Sequence, residues 1–131
     1  MKKEKVLIIE DDKFLTKIYK AKLTKEGFEI EIAMDGTNAL DKARAFNPDL
    51  ILLDIILPNM SGFEILKKLK SEEKTKDVPV VILSNLGQDS DMQQGKELGA
   101  EDYWVKAKYT INEVVDKIRK ELEKSRKKKK K

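Results

Sequence analysis

The chain contains neither cysteine nor histidine. Without thiols it forms no disulfides and has no thiolate nucleophile, a composition compatible with the reducing cytoplasm, which is the expected location. Without imidazole, hydrolases of the Ser-His-Asp type, histidine general bases and most catalytic zinc sites are excluded. The chain also cannot carry a phosphohistidine of its own. No apolar run is long enough to span a bilayer. The longest, Leu50 to Leu57, is interrupted by Asp54. At the N-terminus, Val6 to Ile9 are the only apolar residues between a basic start and three acids, too few for a secretory signal.

What remains is a heavily charged chain of 131 residues, 40% charged and 40% hydrophobic, the size of one ordinary domain. The formal net charge of +4 is misleading. Arg126 to Lys131 are all basic, and without them 22 basic residues stand against 24 acidic ones, a net of −2. The body, residues 1–124, reads as the folded domain, and 125–131 as a basic tail expected to be disordered. A fraying continuation of the last helix is the alternative for that tail. It has no aromatic residue for base stacking, so no specific nucleic-acid site is expected.

Apolar runs and amphipathic runs alternate five times. Lys5 to Ile9 reads as a strand. A helical pattern from Asp12 to about Glu26 follows, with Phe14, Leu15, Ile18 and Leu23 on one side, Asp12 as N-cap and Gly27 as the stop. Phe28, Ile30 and Ile32 alternate with Glu29 and Glu31, which marks a strand with one wet face, most simply an edge. Asp35-Gly36 turns into a helix that Asn47-Pro48 ends. Leu50 to Leu53 and Val80 to Leu83 are continuously apolar, as central parallel strands covered on both faces should be. Ser61-Gly62-Phe63-Glu64 and Thr110-Ile111-Asn112-Glu113 have the form of capping boxes. Gln88 to Leu98 is a weaker helix with few large apolar residues. Tyr103-Trp104-Val105 is the fifth strand, with Trp104 facing away from Tyr103 and under a helix. Ile111, Val114, Val115, Ile118 and Leu122 give the last helix one buried face. This (βα)₅ pattern predicts a doubly wound α/β fold with a parallel five-stranded sheet.

Ligands of such sheets sit beyond the C-terminal strand ends. Glu10, Asp11, Asp54, Ser84 and Lys106 all fall there. A carboxylate within the greasiest strand is costly to bury without a partner. Clustered carboxylates repel until a cation neutralises them or their pKa values rise. Oxygen donors without nitrogen or sulfur favour Mg²⁺, with Ca²⁺ or Mn²⁺ possible. A metal, a lysine and a hydroxyl around one carboxylate suit phosphoryl transfer, with Asp54 as the nucleophile.

These residues resemble the receiver domain of bacterial two-component response regulators, in particular the single-domain chemotaxis type. The resemblance covers about residues 3–124. It rests on Glu10-Asp11, Asp54, Pro58, Gly62, Ser84, Tyr103 and Lys106. It implies the flavodoxin-like strand order 2-1-3-4-5. It also implies Asp54 as phosphoacceptor, and Mg²⁺ bound by Asp11, Asp54 and the Ile56 carbonyl, with Glu10 acting through water. Ser84, Lys106 and Tyr103 would be the phosphoryl-binding and switch residues. The implied partners are a sensor histidine kinase or phosphotransfer protein upstream and a protein target downstream. The implied state is a monomer or a phosphorylation-dependent dimer. The chain would be a phosphoacceptor in a phosphorelay and not an enzyme, beyond self-phosphorylation from small donors and autodephosphorylation. Two positions depart from the family pattern. Ala107 stands where proline usually follows the lysine, commonly through a cis bond; a cis bond to alanine costs about 2.5–4 kcal/mol, so a trans bond and a remodelled loop are expected. Asn85 stands where a small residue is usual, and altered dephosphorylation is expected from it.

Three other readings compete. An aspartyl-phosphate hydrolase needs a second acid two residues after the nucleophile, where this chain has Ile56. A nucleotide-binding domain needs a glycine-rich turn after the first strand, and none is present. A receiver-like scaffold that has lost phosphorylation is opposed by the acids, Ser84 and Lys106, and favoured by Ala107.

Overall fold

The computed structural model describes residues 3–129. Five parallel strands form one sheet in the order β2-β1-β3-β4-β5. They are β1 (Lys5–Ile9), β2 (Glu29–Ala33), β3 (Leu50–Leu53), β4 (Val80–Ser84) and β5 (Asp102–Val105). Helices α1 (Lys13–Lys25), α2 (Gly36–Phe46), α3 (Gly62–Ser71), α4 (Asp89–Glu97) and α5 (Ile111–Lys129) follow them in turn. The expected fold class and strand order are both present.

Alternation along the strands divides the core into two layers. Val6, Ile8, Leu50, Leu52, Val81, Leu83 and Trp104 face α1 and α5. Leu7, Ile9, Ile51, Leu53, Val80 and Ile82 face the other way, toward α2 and α3. Burial on both faces accounts for the unbroken apolar reading of β3 and β4. Trp104 and Tyr103 fall on opposite layers, as the period of two requires.

Local chemistry sets the helix ends. Asp12 caps α1, its carboxylate accepting from the amides of Phe14 and Leu15 at 3.0 Å. Asn47 ends α2 in the left-handed region at φ 52°. At α5 the capping box is complete: Thr110 N donates to Glu113 at 2.9 Å, and Glu113 N donates to the Thr110 hydroxyl at 3.2 Å. At α3 the Ser61 hydroxyl accepts from Phe63 N at 3.1 Å, a simple N-cap in place of the box with Glu64 expected there.

Two expectations need correction. The buried face of α1 is Thr16, Tyr19 and Leu23. Phe14 and Ile18 point to solvent, 77% and 43% exposed. Leu15, Tyr19 and Leu23 are four residues apart, so they and Thr16 define the inward stripe, with Leu15 at its half-buried end as expected, and Phe14 and Ile18 do not lie on it. The second concerns the basic tail: α5 continues through Lys129, so residues 125–129 are helical where disorder was expected. Neighbouring acids neutralise part of its charge. Arg126 pairs with Glu4, Lys127 with Glu123, and Lys128 with Glu101. The last part of that expectation, Lys130 and Lys131, lies outside the described residues.

β2 is an edge, as its wet glutamates suggest. On its outer side the Ile32 carbonyl accepts from the Lys42 ammonium of α2 at 2.5 Å, and Lys42 also meets Glu31 at 3.3 Å. No helix among the described residues is long and apolar enough to cross a membrane.

Candidate functional site

Three strands deliver the site. The in-register pairing of Ile9 with Leu53 ends β1 and β3 at the same level, so Glu10 and Asp54 emerge side by side. Their backbones are fixed there: Asp54 N donates to the Ile9 carbonyl at 3.0 Å and Glu10 N to the Ala33 carbonyl at 2.9 Å. Glu10 and Asp54 are buried, 4% and 7% exposed, whereas Asp11 is exposed. One carboxylate oxygen from each of Glu10, Asp11 and Asp54 falls within 4.8 Å of the others.

From β5 comes the counter-charge. Lys106 opens a short 3₁₀ turn, Lys106–Lys108. Its ammonium donates to Asp54 Oδ2 at 2.8 Å and to Glu10 Oε1. The remaining oxygens are also engaged. Ile56 N donates to Asp54 Oδ1 at 3.2 Å, and Asp12 N to Glu10 Oε2 at 3.1 Å. The described residues contain no cis peptide bond. The bond to Ala107 is therefore trans, as expected, and Ala107 is the middle residue of the 3₁₀ turn.

Electrostatics follow from this crowding. Burial pushes the Glu10 carboxyl up to about 7, the Asp54 charge adds to the rise, and the Lys106 hydrogen bond opposes it. For Lys106, burial works against the charged form. The hydrogen bonds and charges of Asp54 and Glu10 outweigh it and hold the ammonium above the ordinary lysine value. The group is thus a half-buried cation shared between two buried acids, with a third acid at the rim.

Ser84 and Tyr103 lie on adjoining strands but are tied to Leu86. The Ser84 hydroxyl accepts from Leu86 N at 3.3 Å, and the Tyr103 hydroxyl donates to the Leu86 carbonyl at 2.5 Å. Burial raises the Tyr103 phenol, and the charges of Asp91 and Asp54 push it the same way. The loop after β4 therefore links the two expected switch residues. Asn85 within it is exposed.

Sequence reasoning misses Tyr19 and the close approaches made at Gly62 and Gly95. Tyr19 is buried on α1, near enough for the charges of Lys106 and Glu10 to act on its phenol, which burial raises. Gly62 lets α3 begin against β3: an added Cβ would overlap the Asp54 carbonyl oxygen and reach 2.6 Å from Ile55 Cα. Gly95 is the one residue of α4 that is buried. A Cβ on it would stand 2.6 Å from Ile82 Cδ1 and 3.4 Å from the Tyr103 ring. Tyr19 was hidden in an apolar stripe. The glycine roles depend on approach distances that no local pattern records.

With this geometry, three oxygen acids and one lysine at the C-terminal rim of a parallel sheet, the chain matches the response regulator receiver domain model over residues 6–119. The DNA-binding dual master transcriptional regulator RpaA of Synechocystis is 36% identical over 115 residues, which cover 88% of this chain and 47% of that protein. The response regulator PleD of Caulobacter vibrioides is 40% identical over 102 residues, 78% of this chain and 22% of that protein. The chain thus spans less than half the length of these relatives. In three dimensions it resembles a CheY-like receiver domain protein from Methanospirillum hungatei, with a TM-score of 0.90 and 26% identity over 97% of this chain and 99% of that one. The Mn²⁺-bound form of response regulator Rcp1 is similar at a TM-score of 0.71 and 29% identity, over 78% of this chain and 80% of that one. Matched along nearly its whole body in sequence and in fold, the chain belongs to the response regulator receiver domains of two-component signalling.

Proposed function

We propose that Asp54 is the phosphoacceptor of this receiver, taking a phosphoryl group from a phosphohistidine of a sensor kinase or phosphotransfer protein. The observation that carries the reading is the convergence of Glu10, Asp11 and Lys106 on the one buried carboxylate that ends β3. In the transfer, the P–N bond to the donor imidazole breaks and a P–O bond to an Asp54 carboxylate oxygen forms. The departing imidazole keeps the electron pair. No side chain needs to accept a proton from the carboxylate nucleophile, so the protein's part is positioning and charge neutralisation.

The donor set fits Mg²⁺. Its three convergent atoms are all carboxylate oxygens, the hard ligands that this ion prefers. Glu10, Asp11, Asp54 and the Ile56 carbonyl would hold it. When bound, the ion supplies positive charge to the phosphoryl oxygens. Lys106 supplies the second positive charge and is already in contact with Asp54. Ser84 offers a hydroxyl to a phosphoryl oxygen once it releases Leu86 N. Tyr103 shares the Leu86 contact, so movement of that loop is felt on the α4–β5 surface, where a protein target would read it. This is a shift between two packings of one loop. Self-phosphorylation from small acyl phosphates and slow self-hydrolysis, tuned by Asn85, belong to the same reading.

Intact-mass measurement tests it. With Mg²⁺ and a small phosphodonor, or with a phosphorylated histidine partner, the protein gains the mass of one phosphoryl group, and Asp54→Ala does not. A gain that persists in Asp54→Ala places the acceptor elsewhere. The absence of any gain with both donor types defeats the reading.

A further inference from the structure

Lys106 must hold its ammonium between two acids although Ala107 leaves its turn free of proline's restraint. Both flanks of that turn carry an aromatic residue. Trp104, two residues before Lys106, is buried against the α1–α5 layer, and its indole N–H donates to Asp102 at 2.9 Å. Tyr109, three residues after Lys106, packs on the same layer, and its amide donates to the Lys106 carbonyl at 3.3 Å. One cation serves both rings. The Lys117 ammonium of α5 stands 4.6 Å from the Tyr109 centroid and 5.3 Å from that of Trp104, both within cation–π range. Lys117 lies on the second turn of α5, whose start is fixed by the Thr110–Glu113 box.

We propose that Lys117 is a positioning residue. Its ammonium, shared between Trp104 and Tyr109, clamps both ends of the segment that carries Lys106 and so sets where the Lys106 ammonium stands against Asp54. The clamp supplies from α5 the restraint that the backbone at Ala107 lacks. Its consequence for phosphorylation rests on the function proposed above. A protein that engages the α5 face near Lys117 would thereby act on the site through Lys106.

Lys117→Met keeps the length of the side chain and removes its charge. In this variant, amide exchange at residues 106–109 quickens by roughly threefold to tenfold, the range open to a cation–π contact, while the amides of Ile118 to Leu122 are unchanged. Initial phosphorylation by a small acyl phosphate with Mg²⁺ slows by a similar factor. Lys117→Arg, which retains a cation over the rings, restores both readouts to within about twofold. In a Lys106→Ala background, Lys117→Met slows phosphorylation by less than about twofold, because the group it positions is gone. Unchanged exchange in Lys117→Met overturns the clamp. Altered exchange with an unchanged rate overturns the positioning role, and so does an undiminished effect in the Lys106→Ala background. If the wild type gains no phosphate, it is the function reading that fails, and the exchange comparison alone decides the clamp.

Discussion

Each end of the sheet buries a glutamate near a lysine, and the two ends are built differently. At the C-terminal rim Glu10 is 4% exposed and bonded to Lys106, which also binds Asp54. At the opposite rim Glu121 of α5 is 5% exposed and lines a cleft of about 310 Å³ with Asp77, Glu101, Lys124 and Lys128. Its nearest ion pair, to Lys124, spans 3.9 Å, and Lys124 is largely exposed. Burial raises both glutamates. The difference is in origin. The first cluster draws its groups from the ends of three strands, so sheet register fixes their spacing. The second draws Glu121 and its lysines from one helix, and their long side chains reach water. Burial of an acid is common to both ends, but convergence of rigidly held partners belongs to one.

The largest expected effect separates the ends directly. Lys106→Met leaves two buried acids facing each other and should destabilise the metal-free protein by about 3 kcal/mol, the low end for breaking a buried pair because Glu10 can take up a proton. Urea unfolding at neutral pH measures it, and added Mg²⁺ should recover part of the loss. A change below 1 kcal/mol would mean that the C-terminal cluster is as loosely coupled as the other. Next comes Gly62→Ala. It drives a Cβ into the backbone of Asp54 and Ile55, just beyond β3, and should cost about 2–3 kcal/mol by overpacking. The same unfolding experiment reads it.

A third test uses pH. A raised acid binds more protons when folded than when unfolded. The metal-free protein should therefore lose stability as pH rises from the ordinary carboxylate value of 4.5 through about 7, where Glu10 ionises. The loss should be on the order of 3 kcal/mol. Glu10→Gln should flatten that slope strongly. Glu121→Gln should also flatten it, because Glu121 is raised in the same direction by burial. Equal flattening by the two would erase the contrast between the ends. Lys124→Met should have the smallest effect, within about 0.5 kcal/mol, because its ammonium is largely exposed and stands 3.9 Å from Glu121. Thermal unfolding in low salt would detect anything larger.

The architecture was legible because period-two and period-3.6 patterns alternate cleanly, and the runs Leu50 to Leu53 and Val80 to Leu83 are apolar throughout. The site was legible because its acids follow apolar runs directly, and the sheet carries strand ends to one rim. Side-chain partnerships were less so. Phe14 and Ile18 look like core residues in one dimension, yet Tyr19 and Thr16 take the inward stripe. Nothing in the string shows that Ser84 and Tyr103 both bond to Leu86, since that contact joins two strands through a loop. The tail reads as disordered from composition. In the fold it continues α5, with acids such as Glu4 and Glu101, distant in sequence, brought alongside it.

The lysine reaching over the rim of β2 has a consequence for solution behaviour. An open sheet border is where foreign chains add themselves and where aggregates begin. Here the Ile32 carbonyl on that border already holds an ammonium, and Glu29 and Glu31 line the same strand with negative charge. A second strand laid alongside would have to evict Lys42 and tolerate those charges, so β2 resists edge-to-edge pairing even where the chain is crowded.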